Sequence, residues 1–272
     1  VGLVPLQALL GAADYFLRKQ ERSLGISESE KVKIAVKSLG LDDLAPFDPN
    51  KKVIEYMIKD ESAKRLVDMT LMEFANETAS ESPAPGGGSV SAYIGSLGIS
   101  LATMVANLSA HKRGWDDRWE EFSQWAEKGQ VIKEKLVEAV DEDTAAFNEI
   151  MKAFGMPKDK TEEKEARKKA IADATKYAAE VPLKVARLAN ESFEIIKAMA
   201  EIGNPNSVSD AGVGALCARA AVKGAAMNVR INLQGFEDAD FVNKSIAEVE
   251  KLEKAADEAE KAISEIVMKT VA

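Results

Sequence analysis

The chain has 272 residues, 46% hydrophobic, 30% charged and 6% aromatic, with a formal net charge of −9. That is enough for one large core, and the balance is that of helical proteins rich in Ala, Leu, Glu and Lys; the acidity excludes a broad nucleic-acid surface. A single cysteine, Cys217, excludes an internal disulfide and suits a reducing, cytoplasmic compartment, while a single histidine, His111, removes most zinc and iron sites, so no metal is expected. No run of 18 apolar residues predicts a membrane span, and "VGLVPLQALL" has no basic stretch before it, so it is not a signal peptide. Without an initiator Met, the chain reads as a fragment of something longer.

The first 60 residues read as an appendage of short helices. "PLQALLGAADYFLRKQ" predicts one, with Pro5 near its first turn. "SESEKVKIAVKSLGL" predicts a second, capped by Ser27 or Ser29, and "LAPFDPNKKVIEYMI" a third behind a Pro-bounded loop. None is long enough to hold its own core, so all should dock on something else. From Leu66 onward the periodicity predicts long helices at about 70–78, 88–110, 116–154, 160–202, 208–233 and 240–271. Period-two alternation is nearly absent. The expected fold is therefore all-α: a bundle of long antiparallel helices with a short helical amino-terminal appendage, divided as 1–62 and 63–272. The charged run "DKTEEKEARKK" is a solvated turn and helix face.

Three stretches carry chemistry. "SPAPGGGSV" sets Pro85, Gly86, Gly87, Gly88 and Ser89 at the mouth of a helix. It has neither the Gly-Lys-Ser/Thr ending of a phosphate loop nor the G-x-G-x-x-G of a dinucleotide site. It is either a tight turn needing glycine dihedrals or a helix terminus whose free N–H groups receive a ligand. Beyond it Ser91, Gly95, Gly98, Ala102 and Ala106 share one face, which admits a second helix or a flat ligand. In "QVIKEKLVEAVDEDTAAFNEIMKAF" the apolar stripe Ile132, Leu136, Ala139/Val140, Phe147, Ile150, Phe154 passes through position 143, which holds Asp143. Asp141 and Glu142 lie off the stripe and should face water. A core-facing Asp is costly unless hydrogen-bonded, paired or used; burial raises its pKa, as suits a proton donor.

In "SDAGVGALCARAAVKGAAMNVRINLQG" the residues Asp210, Gly214, Cys217, Ala221, Asn228 and Asn232 share a face and describe a groove wall. Asp210 and Asn228 are about 27 Å apart along one helix, too far for one small ligand, so either subunits combine or one of the two is structural. Ser207 with Asp210 also resembles a capping box. Lys112 and Arg113, after His111, either complement a helix dipole or offer a cationic site for carboxylates. The small-residue faces at 88–110 and 208–233 are too extensive to leave in water, which predicts a homo-oligomer, a dimer at least.

The stretches "SPAPGGGSVSAYIGSLG", "VDEDTAAFNEIM", "SDAGVGALCARAA" and "NVRINL" resemble the cyclodeaminase/cyclohydrolase family of folate enzymes, over about residues 66–265. "VGLVPLQALLGAADYF" and "SLGLDDLAPFDPNKKVIEYMI" resemble the end of a glutamate formimidoyltransferase domain and its linker, an order found in bifunctional members that serve histidine degradation. The resemblance implies an all-α fold, a dimer within a ring-like assembly, and a transferase domain upstream. It assigns the catalytic acid to the second Asp of "VDxD", Asp143. The implied reaction closes 5-formimidoyltetrahydrofolate to 5,10-methenyltetrahydrofolate with release of ammonia, and needs no cofactor. Pro85 to Ser89, Asp210, Asn228 and Asn232 then become candidate folate contacts, and Lys112 and Arg113 candidate contacts for a polyglutamate tail across a subunit boundary. A cyclohydrolase acting on methenyltetrahydrofolate, and a module that only gathers transferase domains, are the alternatives.

Overall fold

The computed structural model describes residues 2–58 and 65–271. The expected boundary between residues 62 and 63 lies outside the described residues. The chain forms two compact units, residues 1–64 with 103–130, and residues 65–102 with 131–272.

In the first unit, α1 (Leu6–Lys19) starts at Pro5 and α2 (Glu28–Ser38) at Ser27, whose side chain accepts the Glu30 N–H. These helices do hold a core: Leu9 and Ala13 pack with Val32, Ala35, Val36 and Val53. The expectation that they only dock is corrected by this shared cluster. The expected third helix is two single turns, α3 (Pro49–Lys52) and α4 (Ile54–Met57). Extended Val53 breaks it by forming a parallel bridge with Val4, closed by Val4 N–H to Lys52 C=O at 2.8 Å and Ile54 N–H to Val4 C=O at 3.1 Å.

The loop at 23–25 packs on residues 103–130 of the same unit. The Gly25 carbonyl accepts from Asn107 Nδ2 at 2.8 Å and Gln130 Nε2 at 3.1 Å. A Cβ at Gly25 would fall on Ala126, so glycine is required by the close approach. The Leu24 N–H donates to Ser123 Oγ at 2.9 Å. Burial, and then the nearby Arg22 charge, hold the His111 pKa below its usual value, and its Nε2 faces the Ser23 N–H. His111 is thus a neutral acceptor and not part of a cationic site.

The second unit holds α5 (Leu71–Thr78), α8 (Thr161–Ile202), α9 (Val208–Asn232) and α10 (Ala239–Val271). It also takes the first part of α6 (Gly87–Ala110) and the second part of α7 (Trp119–Phe154). Thr70 caps α5 in a reciprocal box with Glu73. Helices observed and expected agree within about three residues, the largest gap being at 116–118, which form a 3-10 turn before α7. By length and composition α6 could cross a membrane, against expectation, although most of that stretch is buried in the protein.

Small residues let α6 and α9 meet backbone to backbone. A Cβ at Gly98 would lie 2.8 Å from the Gly214 carbonyl, and one at Gly95 would lie 3.1 Å from Ala221. The face at 210–232 was expected to be a groove wall; most of it is this seam, with Gly214, Ala221 and Ala225 buried. The small faces meet each other inside the chain, so they are not what an oligomer would cover. The apolar side chains left exposed in this unit include Leu97, Val213, Leu216, Met227 and Ile231. Replacing Gly98 with Val is expected to lower stability by about 1–3 kcal/mol through overpacking against backbone that cannot yield, measured as a shift in the urea midpoint.

Candidate active site

At the start of α6 the Gly86 carbonyl accepts the Val90 N–H at 3.0 Å, leaving the N–H groups of Gly87, Gly88 and Ser89 without helical acceptors. One is satisfied from α7: the Ser89 N–H donates to Asp143 Oδ2 at 2.8 Å. Ser89 is fully buried, and its hydroxyl lies 3.0 Å from the same oxygen and 2.9 Å from the Val140 carbonyl. A Cβ at Gly88 would fall on the Asp143 carboxylate. Gly88 is therefore bare to seat an amino-acid side chain of the protein itself. A Cβ at Gly87 would come within 3.1 Å of the Asn228 amide.

Asp143 is half-buried. Burial raises its pKa above the usual carboxylate range, opposed by the Ser89 hydroxyl and then the Ser89 N–H, which favour the anion. The stripe that located it drifts after Val140: Ala146 and Ala153 are buried, while Phe147 and Phe154 are 39% and 52% exposed. At 3.6 residues per turn a seven-residue repeat slides round the helix, so Asp143 stands at the seam's edge. Its neighbours are not simply solvated. Asp141 accepts the Leu66 N–H at 2.7 Å, and Glu142 pairs with Lys184 at 2.7 Å.

Asp143 lines a cleft of about 180 Å³ with Pro83, Ala84, Gly86, Gly87, Gly88, Thr144, Phe147, Ile150, Ala178, Asn228 and Asn232. The structure thus brings together the three glycines, Asp143, Asn228 and Asn232. Ser89 lies behind the carboxylate, and Pro85 is buried, its expected place taken by Pro83 and Ala84. Asp210 sits 18 residues from Asn228 along α9, about 27 Å away and outside the cleft. Ser207 makes no side-chain cap bond, so the capping-box reading fails; a 3-10 turn at Pro205–Ser207 leads into the helix instead. Lys112 and Arg113 belong to the first unit, where Lys112 Nζ lies 3.7 Å from the Trp115 ring centroid. Among the described residues that line the cleft there is no Lys, Arg or His. No local pattern points to Thr144, Ala178 or the Ser89–Asp143 bond, which depend on pairings between helices.

A raised pKa means the folded state binds the Asp143 proton more tightly than the unfolded state. That contribution to stability is fully present below pH 3.8 and is lost as pH rises through the folded pKa. At pH 7 the Asp143→Asn protein should therefore unfold at a temperature no lower than the native protein. Any advantage should shrink as pH is taken toward 3.8, read by thermal unfolding across that range.

The sequence matches the family model described as formiminotransferase-cyclodeaminase over residues 70–251, and the formiminotransferase domain over residues 1–59. It is 36% identical to the formimidoyltransferase-cyclodeaminase of Rattus norvegicus over 246 residues, covering 90% of this chain and 45% of the relative. Identity to the Gallus gallus protein of the same name is 37%, covering 93% and 47%. The chain spans about half the length of these relatives. It is also 37% identical to a methenyltetrahydrofolate cyclohydrolase of Methylorubrum extorquens, covering 67% of this chain and 88% of that one. The crystal structure of formiminotetrahydrofolate cyclodeaminase from Thermotoga maritima superposes with a TM-score of 0.66 at 29% identity, covering 75% and 98%. With its family match extending over most of its length, this chain belongs to the formiminotransferase-cyclodeaminase family.

Proposed function

We propose that this chain carries formimidoyltetrahydrofolate cyclodeaminase activity, closing 5-formimidoyltetrahydrofolate to 5,10-methenyltetrahydrofolate within a longer protein of histidine degradation. The observation that carries the reading is Asp143, half-buried in the cleft with its pKa raised by that burial, in a chain of this family. Folate N10 attacks the formimidoyl carbon and the C=N pair moves onto the terminal nitrogen. N10 gives up its proton, the carbon–nitrogen bond breaks, and the N5 lone pair completes the methenyl cation. Ammonia leaves with three hydrogens, two from the substrate and one supplied. An amide anion is too poor a leaving group, so Asp143 protonates the departing nitrogen, a contribution of about 10²–10⁴-fold. Closure is intramolecular, so holding the folate bent supplies a further part of the rate. The reaction as written needs no cofactor.

The cyclohydrolase relative favours a second reading, in which water attacks the methenyl carbon and 10-formyltetrahydrofolate is made. The amino-terminal match to a formiminotransferase domain supports the cyclodeaminase, because that domain produces its substrate. Incubation with 5-formimidoyltetrahydrofolate should give equal amounts of ammonia and methenyl product. Asp143→Asn should lower turnover at least about 10²-fold. Supplied with 5,10-methenyltetrahydrofolate, a chain that bleaches its absorbance but forms no ammonia from 5-formimidoyltetrahydrofolate would be the cyclohydrolase instead.

Lys112 and Arg113 remain the candidates to hold a polyglutamate tail, a reading supported by the cleft's described lining, which has no basic residue. Self-association rests on a different ground from the small-residue faces. Val213, Leu216, Met227 and Ile231, at 50%, 54%, 65% and 57% exposure, form one stripe along α9. A continuous apolar stripe on a charged protein suits a second copy. In sedimentation at micromolar concentration the native chain should run as a dimer or larger, and Leu216→Glu with Ile231→Glu should shift it toward monomer.

A further inference from the structure

Helix α8 contains a proline in its interior, Pro182, which is buried. Proline has no N–H, so the carbonyl four residues earlier loses its helical donor. That carbonyl belongs to Ala178, which lines the cleft, and it accepts instead from Asn232 Nδ2 of α9 at 2.6 Å. An acceptor at that distance fixes which end of the amide is nitrogen. One turn earlier Asn228 is fixed in the same sense, its Nδ2 donating to the Gly224 carbonyl at 2.8 Å. Among the described residues neither amide oxygen has a hydrogen-bond partner, and both residues line the cleft beside Asp143.

We propose that the carbonyl freed by Pro182 holds Asn232 so that its amide oxygen, with that of Asn228, receives N–H donors of the ligand. Pro182 is a positioning residue and never touches that ligand. Resting on the folate reading above, the assignment places the formimidoyl-bearing pterin end in the cleft. That end carries N–H donors and no negative charge, whereas the benzoylglutamate end carries carboxylates. The Asp143 carboxyl already occupies the Ser89 N–H at the helix terminus, and a ligand carboxylate would sit beside that group with no cation among the cleft's described lining. The apolar side chains of Phe147 and Ile150 give a flat ring a surface to lie on.

A purely structural Asn232, present only to satisfy Ala178, makes the opposite prediction, and three variants separate the two. Pro182→Ala restores the missing N–H and competes with Asn232 for the carbonyl. It should raise the thermal midpoint and yet raise KM for 5-formimidoyltetrahydrofolate about 3–10-fold, an order-of-magnitude figure for a loosened hydrogen bond. Asn232→Leu should lower the midpoint and raise KM about tenfold. The double variant should recover the midpoint and keep the high KM. Direct binding supplies a readout independent of turnover: tetrahydropterin should bind the native chain and bind Asn232→Leu about tenfold more weakly, with p-aminobenzoylglutamate unaffected. A native KM and native tetrahydropterin affinity in the double variant would reduce Asn232 to a structural role and overturn the proposal. So would a native chain that fails to bind tetrahydropterin. A chain that binds tetrahydropterin through Asn232 but releases no ammonia would sink the cyclodeaminase reading and leave this one standing.

Discussion

The seating of the Asp143 carboxylate on the first turn of α6 is the contact from which the rest of the site follows. It requires a residue without Cβ at Gly88 and a donor at Ser89, and it sets the register between α6 and α7. The register between α6 and α9 is set separately, by the Gly98–Gly214 approach. A larger residue at Gly98 would meet backbone that cannot yield, and one at Gly88 would displace the Asp143 carboxylate, since packed interiors hold little free volume. With both contacts made, Asn228 comes to rest against Gly87, and four helices, α6, α7, α8 and α9, converge on one cleft. Backbone proximity, which costs glycine entropy in each helix, is thus converted into side-chain precision.

Proton balance at Asp143 is held between opposed effects, of which burial is the larger. Partial burial favours the neutral acid, while the helix-terminal N–H and the hydroxyl of Ser89 favour the carboxylate. The hydroxyl has one proton and two acceptors within reach, Val140 O and Asp143 Oδ2. When Asp143 is ionised the hydroxyl can turn to it; when Asp143 is protonated on Oδ2 the hydroxyl can accept and keep Val140 as its own acceptor. Ser89 therefore serves both states without moving its backbone. Oδ1 accepts no hydrogen bond among the described residues.

Long helices, their ends and Asp143 were legible because each rests on local periodicity within one segment. Periodicity was also where the reading slipped. A stripe extrapolated through Phe147 and Phe154 assumed a fixed repeat over six turns, and the drift turned those rings outward, Phe147 onto the cleft. Small-residue faces were seen correctly but given the wrong partner, since sequence says that two surfaces can meet and not which ones. Asp210 and Asn228 share a helix face yet lie 18 residues apart along it, and of the two only Asn228 lines the cleft. The amino-terminal helices were judged too short for a core, because the bridge that brings Val53 to Val4 links positions 49 residues apart.

Pro182 shows why the remaining site residues escaped notice. Read along the chain, it is only an unfavourable residue inside a good helix, a cost of about 3 kcal/mol relative to Ala. Its meaning appears across the chain, where Asn232 of another helix supplies the donor that proline lacks. The same reasoning covers Asp143, disfavoured by burial, and Gly88, disfavoured in a helix by about 1 kcal/mol. Each is locally the wrong choice, and each becomes the right one when paired with a residue at least 50 positions away. Helices of 25 to 42 residues such as α8 and α9 supply enough buried surface to carry several such choices. That surplus is what allows a half-buried acid and two fixed amides to be presented together, in a cleft whose polarity is set by backbone carbonyls.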